Sequence, residues 1–316
     1  MTAPGRIAMI AGRPGRADAR AVLDAFEAAG RLTASAAHAA WARRAVGRFL
    51  WAQRICGPGE ISRAAVVEFL AALRARGLTA KTIMNYRSAI ATFAAFCRDR
   101  GLLAADPCAG IRLARPEGRL PRYLGADEIA AVLSAADRLG CWPEVCLALA
   151  TGLRRGELIR LRWADVDVER RTLAVRKAKG RRPRVVPLAG AAVAAIEEQR
   201  RKAGRLAWVF PARRTWRGGW RYEDRPRAAN WWTRAMRTIR REVPTFPAGR
   251  GWHLLRHTFA SRAVQAGVSL YKLAQWMGHT DVRTTQIYAH LRPGFDEDIE
   301  AAAPVRAAAA DRGRRS

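Results

Sequence analysis

Three consecutive stretches between residues 33 and 112 place apolar side chains at intervals of three or four residues. Such intervals put the apolar side chains on one face of a helix. The stripes contain Ala37, Trp41, Ala45 and Phe49 in the first stretch and Ile83, Tyr86, Ile90, Phe93 and Cys97 in the third. The second stretch has an N-cap candidate in Ser62 and a helix-ending glycine in Gly77. The pattern predicts a compact all-helical unit over these residues.

A segment of different composition follows this unit. Residues 114–122, ARPEGRLPR, combine proline, glycine and arginine without periodicity, which is typical of a linker. Helical periodicity then resumes, two β-prone runs in RTLAVRKAKGRRPRVVPL predict a hairpin, and residues 204–250 have a loop-rich composition. We expect a mainly α protein of two domains, with an N-terminal arm over 1–30, a helical domain over 31–113, the linker over 114–122, a mostly α domain with a small antiparallel sheet over 123–303 and a basic tail over 304–316.

The charge balance narrows the class of partner. The chain has 57 basic residues against 27 acidic ones, a formal net charge of +30. Such an excess favours phosphate contacts and raises encounter rates with polyanions. Only five of the basic residues are lysines, so the arginine excess reflects GC-rich coding as well as selection for charge. Nucleic acid is the leading partner, and an anionic membrane surface is a distant second.

The five cysteines form no CxxC pair and have no neighbouring histidines that complete a zinc site. They are typical of reduced, mostly buried thiols. The N-terminus lacks the long apolar core of a signal peptide, and no apolar run approaches the roughly 20 residues that span a bilayer. These observations predict a soluble cytoplasmic protein that does not enter a membrane.

Two segments contain candidate residues for phosphate chemistry. In ATGLRRGELIRLRW, Arg154 and Glu157 lie at the start of a predicted basic helix. In RKAKGRRPR, Lys177 and Lys179 lie at a tight turn, where a lysine can be placed in a groove and protonate a leaving oxygen. By composition alone, the first segment is an ordinary amphipathic helix start and the second is a solvated face or a nucleic-acid patch.

Further candidates lie toward the C-terminus. WHLLRHTFASRAV places His253 and Arg256 three residues apart, on one side of a helix, with a guanidinium fork that matches phosphate oxygens and an imidazole that exchanges a proton near neutral pH. In LAQWMGHT, Gly278 ends a helix and His279 follows, where a lone histidine is more often a capping or surface residue. Tyr288 lies nine residues later in the polar segment GHTDVRTTQIYAH, and by itself it fits a half-buried helix residue.

Together these segments follow one order, with Arg-x-x-Glu in TGLRRGEL, a lysine in a basic hairpin, HLLRH, GH and then the tyrosine of TTQIYAH. The order resembles that of the tyrosine site-specific recombinases, the phage integrase family, especially its two-domain Xer-type members. The motif resemblance covers residues from about 150 to 290. A weaker resemblance to the family's helical core-binding (SAM-like) domain covers 33–115, although Asp106 stands where the family usually has Asn before proline. The resemblance implies a two-domain clamp around duplex DNA.

The resemblance implies the reaction and its central residues. Tyr288 is the expected nucleophile, which attacks a backbone phosphate to give a 3′-phosphotyrosyl link and a free 5′-hydroxyl. The 5′-hydroxyl of a partner strand then reverses the attack, so strand exchange becomes two transesterifications. Arg154 and Arg256 are expected to clamp the non-bridging phosphate oxygens and to stabilise their charge in the transition state.

The resemblance also assigns the supporting residues. His253 is the expected acid–base histidine, His279 a histidine that hydrogen-bonds the phosphate, and Glu157 a carboxylate that orients a catalytic side chain. Lys179 is expected to protonate the leaving 5′-oxygen because a glycine follows it, as in the family's turn. Lys177, two residues earlier, is its rival.

The family works as a tetramer on two DNA duplexes, which implies a homo-tetramer here or a hetero-tetramer with a second recombinase. No ATP or other cofactor is expected, because each ester replaces another of similar energy. The acidic residues are scattered and offer no pair for a two-metal site, so no metal is expected either. The segment over residues 294–305, GFDEDIEAAAPV, is a candidate for docking on a neighbouring subunit.

Two alternatives remain at this stage. A type IB topoisomerase shares the tyrosine chemistry but rejoins the original strand, and the resemblance of the N-terminal helices to a core-binding domain argues against it. A non-catalytic or architectural DNA-binding protein has the same charge and helices, and only the complete catalytic set argues against it. The expected role is integration, excision or dimer resolution.

Overall fold

The computed structural model describes residues 19–114, 120–176, 183–204, 206–216, 219–247 and 251–293. The chain divides into two compact units, residues 1–118 and residues 119–316. The described part is mainly helical, as predicted, and contains two small antiparallel sheets, one more than predicted. The predicted basic tail and the acidic segment over 294–305 lie outside the described residues.

Four helices form the described part of the first unit. They are α1 (Ala19–Thr33), α2 (Ala36–Ala52), α3 (Arg63–Ala75) and α4 (Ala80–Arg98), with a 3-10 turn at Pro58–Glu60. Hydroxyl side chains begin three of them, because Ser35, Ser62 and Thr79 each accept a hydrogen bond from the backbone N–H three residues later. The predicted helix starts are therefore set by capping as well as by periodicity.

The core of the first unit extends further toward the N-terminus than predicted. Val22, Leu23 and Phe26 of α1 are buried in it, and the Phe26 ring packs edge-on against Phe93 with ring centroids 5.2 Å apart. The boundary expected at residue 31 thus falls inside α1. An apolar face that packs against α2 and α4 makes α1 part of the helical unit and not part of an arm.

The second unit contains eight helices and five strands among its described residues. They are α5 (Ala126–Arg138), α6 (Trp142–Thr151), α7 (Arg155–Ile159), β1 (Val166–Asp167), β2 (Thr172–Val175), β3 (Arg184–Pro187), α8 (Gly190–Ala203), β4 (Pro211–Trp216), β5 (Gly219–Pro226), α9 (Ala229–Glu242), α10 (Gly251–Gln265), α11 (Leu270–Met277) and α12 (Arg283–Gln286). Short 3-10 turns lie at Trp163–Asp165 and Ala289–Leu291.

Two antiparallel sheets interrupt the helices. The predicted hairpin is present as β2 and β3, to which β1 adds a third strand, and the paired Leu173 and Val186 are both buried. A second hairpin, β4–β5, lies within residues 204–250, and α9 follows it. The expectation of a loop-rich region there was wrong, because backbone pairing forms strands in an arginine-rich segment that lacks apolar alternation.

Helix α10 lies in the middle of the second unit's core. Leu254 and Leu255 are fully buried, and Trp252 packs edge-on against Trp232 with ring centroids 4.8 Å apart. The Trp252 indole also donates a 2.6 Å hydrogen bond to the Trp232 carbonyl. A helix fixed on several sides is a rigid support for the polar side chains that it carries.

Four of the five cysteines are buried, as expected, and Cys56 is exposed. Burial raises the pKa of the Cys97 and Cys146 thiols to about 11, so both remain protonated at neutral pH. No helix within the described ranges has the length and apolar composition needed to cross a bilayer.

Candidate active site

Arg256 is the buried centre of the site. Its side chain projects from α10 into the core and is 3% exposed. Nη1 donates to the Gly152 carbonyl at 2.6 Å, and Nη2 donates to the Met277 carbonyl at 2.6 Å. These bonds fix the guanidinium between the C-terminal ends of α6 and α11.

Arg154 reaches the same place from a different element. It is the N-cap of α7, and its Nη1 donates to the Met277 carbonyl at 3.2 Å, while Nη2 lies 3.5 Å from the Gly278 carbonyl. Two guanidinium groups, from Arg154 and Arg256, therefore share one backbone carbonyl. The structure brings the two predicted clamp residues together across about a hundred residues of sequence.

Glu157 lies three residues after Arg154, in the first turn of α7, and hydrogen-bonds to it. Its carboxylate accepts from the Arg154 backbone N–H at 2.8 Å and from Arg154 Nη1 at 3.2 Å. It also accepts two bonds from Arg184, at 3.0 and 2.7 Å. Burial alone raises the pKa of Glu157, but the hydrogen bonds and charges of Arg184 and Arg154 lower it to about 2. Glu157 is therefore an ionised counter-charge at every physiological pH.

The arginines outnumber the carboxylate that they share. Burial, together with the charges of Arg154 and Arg184, lowers the pKa of Arg256 to about 9, and Glu157 offsets this only in part. A cluster of confined cations with one counter-ion stabilises an additional anion. The electrostatics of the site thus match a phosphate group.

His279 follows the end of α11 and points toward Arg256. Its Nε2 lies 3.1 Å from Arg256 Nη2, and its Nδ1 lies 2.8 Å from the buried hydroxyl of Thr285. Because an arginine nitrogen only donates, Nε2 accepts, and the hydrogen-bond network assigns the proton to Nδ1. The predicted phosphate histidine is thus oriented by Thr285 with one ring nitrogen at the arginine pair.

Two glycines make this approach possible. Gly152 ends α6 with φ +62°, and a Cβ there would lie 2.3 Å from Cδ1 of Phe259. Gly278 ends α11 with φ +63°, and a Cβ there would lie 2.8 Å from Nη1 of Arg184. Both positions combine a left-handed backbone with a close contact, which only glycine accommodates.

Tyr288 is enclosed beside this cluster. Its side chain is 1% exposed and packs with Val264, Leu273 and Met277. The hydroxyl lies 2.6 Å from Nδ1 of His257. Burial raises the pKa of Tyr288 to about 12, and the charge of Arg256 opposes that shift. The predicted nucleophile therefore lies within electrostatic range of the arginine clamp, in its protonated form.

His253 occupies a more open position than Arg256. It is exposed, and with Arg154, Arg155, Arg237 and Arg240 it lines a cleft of about 560 Å³. Its ring lies edge-on to that of His257, with centroids 5.4 Å apart. His253 and His257 thus link the cleft to Tyr288 along one face of α10.

The two lysine candidates, Lys177 and Lys179, lie outside the described residues. Within the described ranges, no group of three or more histidine, cysteine, aspartate or glutamate side chains is arranged to hold a metal ion. Sequence reasoning missed two residues of the site, Arg184 and His257. Both lie in segments that it had singled out, RKAKGRRPR and HLLRH, but only the folded chain gives them partners.

Sequence comparison defines the class. Residues 122–294 match the phage integrase family. The tyrosine recombinase XerC of Xanthomonas axonopodis pv. citri (strain 306) is 32% identical over 260 residues, 78% of this chain and 78% of that protein. XerC of Xylella fastidiosa (strain 9a5c) is 34% identical over 259 residues, 78% of this chain and 82% of that protein. The chain belongs to the phage integrase family, and it is a tyrosine recombinase, an enzyme of site-specific DNA cleavage and religation, as predicted.

Solved structures share the fold. A lambda integrase dimer bound to a COC' core site superposes with a TM-score of 0.67 at 18% identity, covering 87% of this chain and 78% of that one. The Tn1549 transposon integrase in complex with circular intermediate DNA gives a TM-score of 0.66 at 18% identity, covering 89% of this chain and 99% of that one. At such identities the likeness extends to the architecture alone.

Proposed function

We propose that Tyr288 is the nucleophile of this recombinase and that Arg154, Arg256 and His279 bind the phosphate that it attacks. One observation carries the proposal. Arg154 and Arg256 donate to the same carbonyl at 3.2 and 2.6 Å, and His279 Nε2 lies 3.1 Å from Arg256. Two guanidinium groups and one imidazole, contributed by three separate parts of the chain, converge beside a buried tyrosine, and the two guanidinium groups suit a tetrahedral anion.

The proposed reaction proceeds in two transesterifications. The Tyr288 oxygen forms a bond to phosphorus as its proton passes to the acid–base histidine, proposed to be His253, and the bond from phosphorus to the 5′-oxygen breaks. The 5′-oxygen takes up a proton and leaves as a hydroxyl, while the 3′ side of the strand stays on the tyrosine. A 5′-hydroxyl from a second strand then attacks the phosphotyrosine and releases Tyr288. Each step exchanges one phosphodiester for another.

The arginine pair stabilises the charge that develops on the phosphate. Arg256 is buried and held by two carbonyls, so its donors need little rearrangement in the transition state. Removing one such donor typically costs about a hundredfold to a thousandfold in kcat. We propose that His279 adds a third donor when Nε2 carries the proton.

Proton transfer is assigned to a lysine of the RKAKGRRPR segment and to His253. We propose that Lys179 protonates the leaving 5′-oxygen, with Lys177 as the alternative. His253, exposed in the cleft that Arg154 lines, acts as the acid–base histidine. Glu157 keeps Arg154 in place through its bonds to the Arg154 backbone and side chain.

The substrate that fits this chemistry is duplex DNA. The net charge of +30 supports tight phosphate contacts, and both the lambda and the Tn1549 integrases of similar fold are bound to DNA in their structures. We propose that the helical unit, from α1 to residue 113, serves as a core-binding domain, 114–122 as a linker and 123–303 as the catalytic domain. The active assembly is a tetramer on two sites, formed by this chain alone or with a second recombinase, in the cytoplasm where its substrate lies.

Covalent capture of DNA tests the nucleophile without knowledge of the target. Wild type, Tyr288→Phe and the control Tyr271→Phe are expressed in cells, which are lysed in SDS, and DNA attached to the purified protein is sequenced. Tyr271 is an exposed tyrosine of the same unit. We expect adducts with recurrent 3′ ends from the wild type and the control, and none from Tyr288→Phe.

Other outcomes carry defined meanings. Adducts from Tyr288→Phe assign the nucleophile to another residue. Equal, low amounts of attached DNA from all three proteins favour a non-catalytic DNA-binding protein. Adducts followed only by religation of the original strand point to a topoisomerase-like activity.

A further inference from the structure

Arg184 occupies a place in the site that the catalytic set does not explain. It is the first residue of β3, and its side chain is 8% exposed. All three guanidinium nitrogens donate: Nε to the Trp276 carbonyl at 2.7 Å, Nη1 to Glu157 Oε1 at 3.0 Å and Nη2 to Glu157 Oε2 at 2.7 Å. The pair with Glu157 is the two-point arrangement that gives arginine–carboxylate contacts their geometry.

These bonds join β3 to two helices that adjoin proposed catalytic groups. Glu157 belongs to α7, whose N-cap is Arg154, and Trp276 belongs to the last turn of α11, which precedes His279. Strand β3 continues from the hairpin segment that contains Lys179. Arg184 is thus bonded to the elements on both sides of the phosphate clamp and begins the strand next to the lysine segment.

The backbone of the site is shaped around this side chain. A Cβ on Gly278 would lie 2.8 Å from Nη1, 2.9 Å from Cδ and 3.0 Å from Cζ of Arg184. Gly278 therefore does more than relieve backbone strain, because its missing side chain leaves room for the Arg184 side chain to reach Glu157. The packing requires both residues together.

Arg184 and Arg154 both hydrogen-bond to the Glu157 carboxylate, and Arg184 makes the larger share of these side-chain bonds. It contacts both carboxylate oxygens, whereas Arg154 Nη1 contacts only Oε1, at 3.2 Å. A carboxylate released from Arg184 would be available for a two-point pair with Arg154. Such a pair would neutralise Arg154 and turn its donors away from an incoming phosphate.

We propose that Arg184 is a positioning residue of the recombination reaction: it occupies Glu157 so that Arg154 stays available to the scissile phosphate. The inference rests on the proposed roles of Tyr288 and Arg154. All three guanidinium nitrogens of Arg184 are engaged by Glu157 and the Trp276 carbonyl. Arg184 acts through Glu157, and its bond to the Trp276 carbonyl keeps the end of α11 in register with the clamp.

The test compares single and double variants in one assay. A duplex oligonucleotide carrying the site recovered by covalent capture is incubated with excess protein, and the rate of adduct formation and the Kd are measured separately. We expect Arg184→Gln to slow adduct formation at least about tenfold, because small displacements of a catalytic group cost up to about a hundredfold. The Kd is expected to stay within about threefold of wild type, since the many phosphate contacts elsewhere remain.

The double variant separates positioning from general support of the fold. If Glu157, once released from Arg184, pairs with Arg154, then adding Glu157→Gln to Arg184→Gln restores part of the lost rate of adduct formation. The reason is that no carboxylate remains to pair with Arg154. Two independent structural losses would instead multiply. A double variant no faster than Arg184→Gln overturns the proposal, as does a wild-type rate for Arg184→Gln.

Controls keep the outcomes distinct. Arg170→Gln removes an exposed ion pair with Asp167 in the same sheet region and is expected to leave the rate unchanged. If Arg184→Gln does not fold, Arg184→Lys replaces it; this variant keeps the charge but pairs at one point, and it is expected to be slow alone and faster with Glu157→Gln. If wild type forms no Tyr288 adduct, the proposed function fails and the inference with it. If wild type forms the Tyr288 adduct and the Arg184 variants form it at the same rate, only the inference about Arg184 fails.

Discussion

The Tyr288 hydroxyl lies 2.6 Å from Nδ1 of His257, inside a pocket that leaves the tyrosine 1% exposed. A hydroxyl enclosed in this way does not reach a DNA phosphate, so the proposed attack by Tyr288 requires that its hydroxyl leave His257. In the described conformation Tyr288 is held in its neutral form, because burial raises its pKa. Two predictions depend on this pair.

The first concerns the ionisation of Tyr288. Burial raises its pKa to about 12, against about 10 for an ordinary tyrosine. The tyrosinate absorbance of wild type minus that of Tyr288→Phe is expected to have its midpoint near pH 12. Because the folded state holds this proton more tightly, its contribution to stability is present below about pH 10 and is lost as the pH rises to about 12. A midpoint near 10 would mean that Tyr288 is solvated.

The second is a double-mutant cycle on stability. His257→Leu leaves the buried Tyr288 hydroxyl without its partner and is expected to lower the free energy of unfolding by about 1–3 kcal/mol. In a Tyr288→Phe background the same substitution is expected to cost much less, because no hydroxyl remains to be satisfied. Urea unfolding measures both, with His38→Leu as the exposed control. Equal costs in the two backgrounds would separate His257 from the tyrosine.

A third prediction concerns acid stability. The pKa of Glu157 is about 2 in the folded protein, well below the ordinary value of about 4.3. A lowered pKa contributes stability that is present above about pH 4.3 and is lost as the pH falls toward about 2. The difference in unfolding free energy between wild type and Glu157→Gln is therefore expected to shrink across that window. A difference that stays constant with pH would contradict the ionised pair with Arg184.

The sequence was sufficient for the types and order of the catalytic candidates but not for their partners. The order of the motifs, through its resemblance to the family, points to Arg154, Arg256 and His279, and the fold brings these three residues together. Arg184 was not selected, because its value lies in contacts with Glu157 and Trp276, which are distant in sequence. Such contacts depend on how β3 is placed relative to α7 and α11, and no local sequence pattern encodes that placement.

The fold shows the same division. Helices with periodic apolar faces and hydroxyl caps were predicted, since both signals act within a few residues. The β4–β5 hairpin was not, because PARRTW and GWRYEDRP are rich in arginine and lack apolar alternation. Helix α1 is a different case. Its apolar side chains belong to the core only because other helices pack against them, so the sequence alone did not assign α1 to the helical unit.

A fourth prediction separates steric fit from backbone conformation. Gly152→Ala introduces a Cβ 2.3 Å from the Phe259 ring at a residue with φ +62°, and the Gly152 carbonyl accepts from Arg256. Gly267 has φ +83° with nothing within 4 Å of a Cβ, so Gly267→Ala is expected to cost only the left-handed penalty of about 1–2 kcal/mol.

Thermal unfolding and adduct formation distinguish the two variants. Gly152→Ala is expected to be less stable than Gly267→Ala and to form adducts at least about tenfold more slowly, because a shifted carbonyl displaces the buried guanidinium. Gly267→Ala is expected to retain the wild-type rate. Equal behaviour of the two would mean that Phe259 moves aside without disturbing Arg256.

The fifth prediction assigns the proton donor. A substrate with sulfur in place of the 5′-bridging oxygen has a leaving group that needs no proton. If Lys179 supplies that proton, Lys179→Ala slows cleavage of ordinary DNA and is largely rescued by the sulfur substrate. Lys177→Ala, the matched variant two residues away, is expected to keep most of its rate on both substrates. Rescue of Lys177→Ala without rescue of Lys179→Ala would transfer the role to Lys177. Arg154→Ala is expected to stay slow on the sulfur substrate, because charge on the non-bridging oxygens still needs its clamp.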